Sequence, residues 1–127
     1  MTDTTDTSSK KPLDPEIMSQ FHGSDHWYRH WVGGITFTDG AKYVADTAGA
    51  YWLLDEIALA QRFAKQVAAE EFQAWTLTVK PDGTATLSCE DGNDNVVFIK
   101  AIEFTDFPSD GVTLWFENNV IYLPSER

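Results

Sequence analysis

The spacing of apolar residues changes once along this chain, near Glu71, from a period of about 3.6 to a period of about 2, and this switch constrains the fold more than any other feature. Upstream, Tyr51, Leu54, Ile57 and Ala58 form a helical stripe with Trp52 and Leu53 beside it, continuing to Phe63 and Val67. Downstream, Trp75, Leu77 and Val79 alternate with Thr76, Thr78 and Lys80. Helices followed by strands predict an α+β layer arrangement, with N-terminal helices packed on a C-terminal antiparallel meander of about five strands.

The punctuation between these runs gives the expected elements. Asp14 is a good N-cap with Pro15 at the first helical position, and a short helix carrying Ile17, Met18 and Phe21 ends at Gly23. Ser24 and Asp25 cap a further turn bearing Trp27, Tyr28, His30 and Trp31, which Gly33-Gly34 breaks. Ile35-Thr36-Phe37 is short enough to be an edge strand at most. From Thr38-Asp39-Gly40 to residue 69 the pattern predicts one bent helix or two abutting helices, with Gly49 as the interruption and the second half central to the core. Pro81-Asp82-Gly83 and Asp91-Gly92-Asn93-Asp94 turn the chain between strands, and Asn118-Asn119 suits a two-residue hairpin. Residues 95–105 read as a long strand, apolar on both faces around Val96 to Ile99 and therefore centrally buried.

Residues 1–13, rich in Thr, Ser, Asp and Lys, offer little to bury and are expected to stay disordered, leaving 14–127 as one domain. Seventeen aromatic side chains, five of them Trp, supply core area without disulfide staples, and the single Cys89 permits no internal disulfide. Twenty Asp and Glu face nine Lys and Arg, a formal net charge of −11. The tail is charge-balanced, so the imbalance sits on the body. Such a surface repels nucleic acid and anionic membranes and steers cationic partners toward it. With no apolar leader or spanning stretch, the expected location is the cytoplasm.

The candidate chemical sites are each weighed against a structural role. His22, His26 and His30 recur every four residues, a spacing that stacks ligands on one helix face, but Gly23-Ser24 interrupts it and the glutamate of a zincin motif is missing. No metal or cofactor is therefore assigned. Glu90 to Asn95 lacks the glycine and glutamate positions of an EF-hand loop and reads as a hairpin turn. Cys89 shares the alternating face of Ala85 and Leu87, and its acidic neighbours oppose a reactive thiolate, with or without His30 as base. Adjacent carboxylates in Asp55-Glu56 and Glu70-Glu71 diverge on a helix. Dinucleotide, P-loop and nucleophile-elbow motifs are missing from the sequence. Tyr28, Arg29 and Trp31 belong to the densest aromatic segment, which suits a partner-binding patch as well as an aromatic minicore.

Phe21-His22-Gly23, Tyr28-Arg29-His30-Trp31, Thr38-Asp39-Gly40-Ala41-Lys42-Tyr43, Ala48-Gly49-Ala50-Tyr51-Trp52-Leu53 and Leu123-Pro124-Ser125-Glu126 carry a resemblance over roughly residues 16–126. The chain resembles a family of small uncharacterised proteins encoded on bacterial plasmids, phages and other mobile elements. The resemblance implies a setting in which acidic proteins are often accessory or anti-defence factors, and it transfers no functional residue.

Two functional expectations follow. The first is a non-enzymatic acidic factor binding a protein with a basic, nucleic-acid-binding surface, in its sharpest form an anti-CRISPR-like mimic of nucleic-acid charge. Its candidate contacts are Asp82, Glu90, Asp91, Asp94, Glu103, Asp106, Asp110 and Glu117, since residues 72–127 hold nine acids and three bases. The second is a small-molecule-binding or enzymatic domain with an aromatic pocket near His26, His30 and Trp52. Homodimerisation through an aromatic patch or an edge strand is compatible with either.

Overall fold

Residues 12–23, 26–108 and 110–127 are described by the computed structural model. Helix α1 (Pro15–Ser19) starts where expected, with the Asp14 carboxylate accepting from the Glu16 amide at 2.9 Å. Strands β1 (Trp27–Arg29) and β2 (Thr36–Thr38) follow, then helices α2 (Asp39–Ala48), α3 (Tyr51–Phe63) and α4 (Lys65–Ala68). The second half supplies β3 (Phe72–Val79), β4 (Ala85–Glu90), β5 (Val96–Ile102), β6 (Gly111–Glu117) and β7 (Val120–Tyr122), and a 3-10 turn spans Pro124–Glu126.

The α+β class holds, with the helices mostly N-terminal and most strands C-terminal, although β1 and β2 precede α2. The sheet, however, has seven strands in the order β1-β2-β7-β6-β3-β4-β5, where about five were expected. The two additional strands come from the aromatic run. Residues 27–29 are extended rather than helical, because Tyr28 stacks on Phe37 across the β1–β2 pair, with ring centroids 5.6 Å apart. Ile35-Thr36-Phe37 does not form an edge: β2 lies between β1 and β7, pairing with β7 in parallel. Asn118 and Asn119, at φ 55° and 64°, make the β6–β7 turn, and the Asn119 carbonyl also accepts from the Thr36 amide at 3.0 Å. A turn read from local chemistry thus also attaches the early hairpin to the sheet.

The helical stretch 39–69 divides into three. Gly49 ends α2 in the left-handed conformation, and Ala64, extended, separates α3 from α4. One face of α2 (Ala41, Val44, Ala45, Ala48) and one of α3 (Leu53, Leu54, Ile57, Ala58) pack on a single side of the sheet. There they meet Trp75 and Leu77 of β3, Leu87 and Cys89 of β4, Leu114 and Phe116 of β6 and Ile121 of β7. Burying each large aliphatic side chain contributes about 1.5–3 kcal/mol, and the strict alternation fixes which strand face is used.

Most of the 1–13 segment lies outside the described residues, but Leu13 is buried in the core, so the packed body begins earlier than composition indicated. The expected cap at Ser24 and Asp25 also lies outside them. A larger correction concerns residues 95–105. β5 ends at Ile102 and occupies the sheet edge, with Val96 and Ile99 exposed. One of its faces packs toward the helices, while the other, with Ile99, stands apolar in solvent.

Candidate functional site

The eight candidate carboxylates separate by the direction of the strands. Asp82 in the β3–β4 turn, Glu103 and Asp106 after β5, and Asp110 before β6 lie at one end of the sheet. Glu90, Asp91, Asp94 and Glu117 lie at the other. Only Glu90 and Glu117 stand on strands, so the acids form two end groups rather than an array over the sheet face. A strand the length of β5 spans roughly 20 Å, which sets the separation of the two ends.

Turn geometry holds two of these groups charged. Asp82 accepts from the Thr84 hydroxyl at 2.6 Å and the Thr84 amide at 2.9 Å, and these bonds lower its pKa. Asp91 accepts from the Asn95 amide at 3.0 Å, the Asn93 amide at 2.7 Å and the Asn95 side-chain amide at 3.0 Å, which also lowers its pKa. Glu117 is instead engaged internally. It accepts from the Tyr122 hydroxyl at 2.9 Å and pairs with Arg127 at 3.7 Å. Arg127 in turn lies over the rings of Phe72 and Trp115, so this carboxylate belongs to an aromatic cluster on the sheet. Burial, with the neighbouring Glu117, pushes the Tyr122 hydroxyl up to about 12.

The aromatic segment divides between packed and exposed side chains. Tyr28 and Phe37 form a minicore with Tyr51, and the Tyr28 hydroxyl donates to Asp39 at 2.8 Å. Trp27 and Trp31 remain exposed, as does Arg29. The three histidines share no helix face. His22 follows α1, His26 lies 3.6 Å from Asp39, and His30 is buried after β1. The Val32 amide donates to His30 Nδ1 at 3.0 Å, which leaves Nε2 carrying the proton toward Asp55 at 2.8 Å. Trp31 Nε1 donates to the same Asp55 oxygen at 2.8 Å. This arrangement pins the β1–β2 connection to α3. Among the described residues no three of His, Cys, Asp and Glu come together to hold a metal ion.

Cys89 is buried on the core face, and burial, reinforced by Glu70, Asp91 and Glu90, pushes its thiol up to about 12. A thiol held protonated in this way is a poor nucleophile. Asp55 and Glu56 diverge, the first toward His30 and Trp31, the second toward Lys100 at 2.7 Å. Trp52 does line an open groove of about 350 Å³, with Glu56, Ile102, Phe104, Thr105 and Asp106. Neither His26 nor His30 is part of its lining.

Two features carry more than the sequence reading assigned them. Glu126 is a buried carboxylate that accepts from the Thr38 hydroxyl at 2.6 Å, the Gly40 amide at 3.0 Å and the Leu123 amide at 2.8 Å. It anchors the C-terminal turn on the start of α2, and a side chain at residue 40 would collide with it. The motifs Thr38-Asp39-Gly40 and Leu123-Pro124-Ser125-Glu126 are therefore one structural unit. The second feature is the β5 edge itself, although apolar residues on both of its faces point to central burial.

Fold and surface define an acidic α+β protein with charge at both ends of its sheet. The chain belongs to the family of unknown function DUF6876, which matches residues 15–127. No curated protein and no solved structure matches it. No helix among the described residues is long and apolar enough to cross a membrane.

Proposed function

We propose that this chain is a non-enzymatic binding factor whose acidic sheet ends engage a basic, nucleic-acid-binding surface on another protein. The observation that carries this reading is the placement of the charge. Carboxylates gather at two ends of a rigid sheet, and turn hydrogen bonds keep Asp82 and Asp91 ionised. Fixed anions in this arrangement attract a lysine- and arginine-lined channel and oppose phosphate. Lys100 and Arg127, two of the three bases in the strand-rich half, are already paired with Glu56 and Glu117.

In its sharpest form the protein is a charge mimic of nucleic acid that inhibits a defence complex such as a CRISPR effector in the cytoplasm. The mobile-element setting implied by the sequence resemblance gives such an inhibitor a use. The Trp52 groove supports a second reading, a small-molecule site whose lining joins an indole to the carboxylates of Glu56 and Asp106. The charge reading accounts for more of the molecule. Its test is displacement of labelled DNA from purified CRISPR effectors and other DNA-binding proteins across a salt series. The expected result is displacement at low salt that weakens steeply as salt rises. Displacement by none of them at low salt would overturn the proposal.

A further inference from the structure

We infer that the β5 edge accepts an extended, lysine- or arginine-flanked segment of the partner as an eighth strand. This rests on the reading of the protein as an acidic binding factor and names the mode of contact. The two edges of the sheet differ in the way that matters for such addition. β1 spans three residues and carries Arg29, a short and charged edge of the kind that resists pairing. β5 spans seven residues, Val96–Ile102, contains no proline, and pairs only with β4. Among the described residues no backbone hydrogen bond from outside the sheet reaches it. Its one charged residue, Lys100, is held by Glu56 on the helix side.

Apolar surface continues from the edge on both sides. Ile99 is 68% exposed on the open face. On the helix side, Phe63 is 82% exposed beside a groove of about 190 Å³ that also includes Leu59 and Phe98. An added strand places alternate side chains over these two surfaces while its main chain satisfies the edge.

Charge at the strand ends selects the occupant. Asp94 lies just before β5 and Glu103 directly after it. The ion pairs among the described residues leave both carboxylates without a cation. Antiparallel pairing with β5 of a second copy would set Asp94 of each chain beside Glu103 of the other, two like-charge contacts between molecules of net charge −11. A segment with cations at both ends and apolar residues between them meets opposite charge at each end.

The test titrates the full chain into a fluorescent peptide of alternating Val and Thr flanked by paired lysines, with fluorescence anisotropy as readout. Ile99→Lys, at an exposed side chain, is expected to weaken binding at least about tenfold, since a cation there removes the apolar surface that the added strand covers and repels the flanking lysines. Asp94→Asn with Glu103→Gln is expected to weaken binding and flatten its salt dependence. Circular dichroism of each variant checks that the fold is retained. Failure of the peptide to bind, or binding unchanged in Ile99→Lys, would overturn the inference. Sedimentation as a dimer that Ile99→Lys dissociates would also overturn it, by giving the edge to a second copy. Displacement of DNA from a purified partner that survives Ile99→Lys would sink strand addition while leaving the charge reading intact.

Discussion

Cys89 shows how far a single residue can be read before its fold is known. Its place on the alternating Ala85-Leu87-Cys89 face predicts burial, and its acidic neighbours predict a protonated thiol; the structure shows both, with burial the larger cause. The consequence for stability has a definite sign. The unfolded thiol begins to ionise near its ordinary value of 9.0, while the native thiol keeps its proton until about 12. Above the first value the native state binds more protons, so this contribution is present at lower pH and is lost as pH rises through that window. Tyr122, raised from 10.0 to about 12, adds a loss of the same sign that begins later. Urea midpoints measured across the alkaline range are expected to fall, and Cys89→Ala is expected to fall less steeply from pH 9.0 upward. Equal slopes in the two proteins would show that the thiol does not contribute. His30 was less legible, because its partner Asp55, on α3, is set by tertiary placement and not by the four-residue histidine spacing.

At the scale of elements, caps and turns were legible where the chemistry is local. Asp14-Pro15, Gly49, and Asn118-Asn119 each act where the sequence places them. Strand assignments failed where long-range pairing decides. Residues 27–29 carry no clear alternation, and they become a strand only because β2 and β7 provide a sheet to join. The same limit explains β5, since an apolar run describes what a strand can pack against and not whether a neighbour exists. Glu126 is the long-range link with the clearest energetic consequence. Removing its carboxylate leaves the Thr38 hydroxyl and the amides of Gly40 and Leu123 without their acceptor. Partial entry of water reduces the penalty, so Glu126→Ala is expected to cost roughly 2–4 kcal/mol in chemical denaturation, with Glu126→Gln costing less. A loss below about 0.5 kcal/mol would mean that the C-terminal turn does not anchor α2.

The whole molecule combines a core on one side of the sheet with carboxylates at both ends of its strands. The α+β class was legible from the change of hydrophobic period at Glu71, which needs no knowledge of strand order. Strand order needs contacts between distant segments, and so the division of the acids into two end groups was not legible. Neither was the bare edge that connects them. Together these features turn a net charge of −11 into a surface with direction: anions at each end, and between them a largely apolar strand with one unpaired edge. Backbone amide chemical shifts of the full chain, followed during titration with the lysine-flanked Val/Thr peptide at low salt, test this account most directly. The account expects the largest changes across residues 94–103, with smaller ones at Phe63, and their loss at high salt. Changes centred on Trp27 and Trp31, or none along β5, would contradict it.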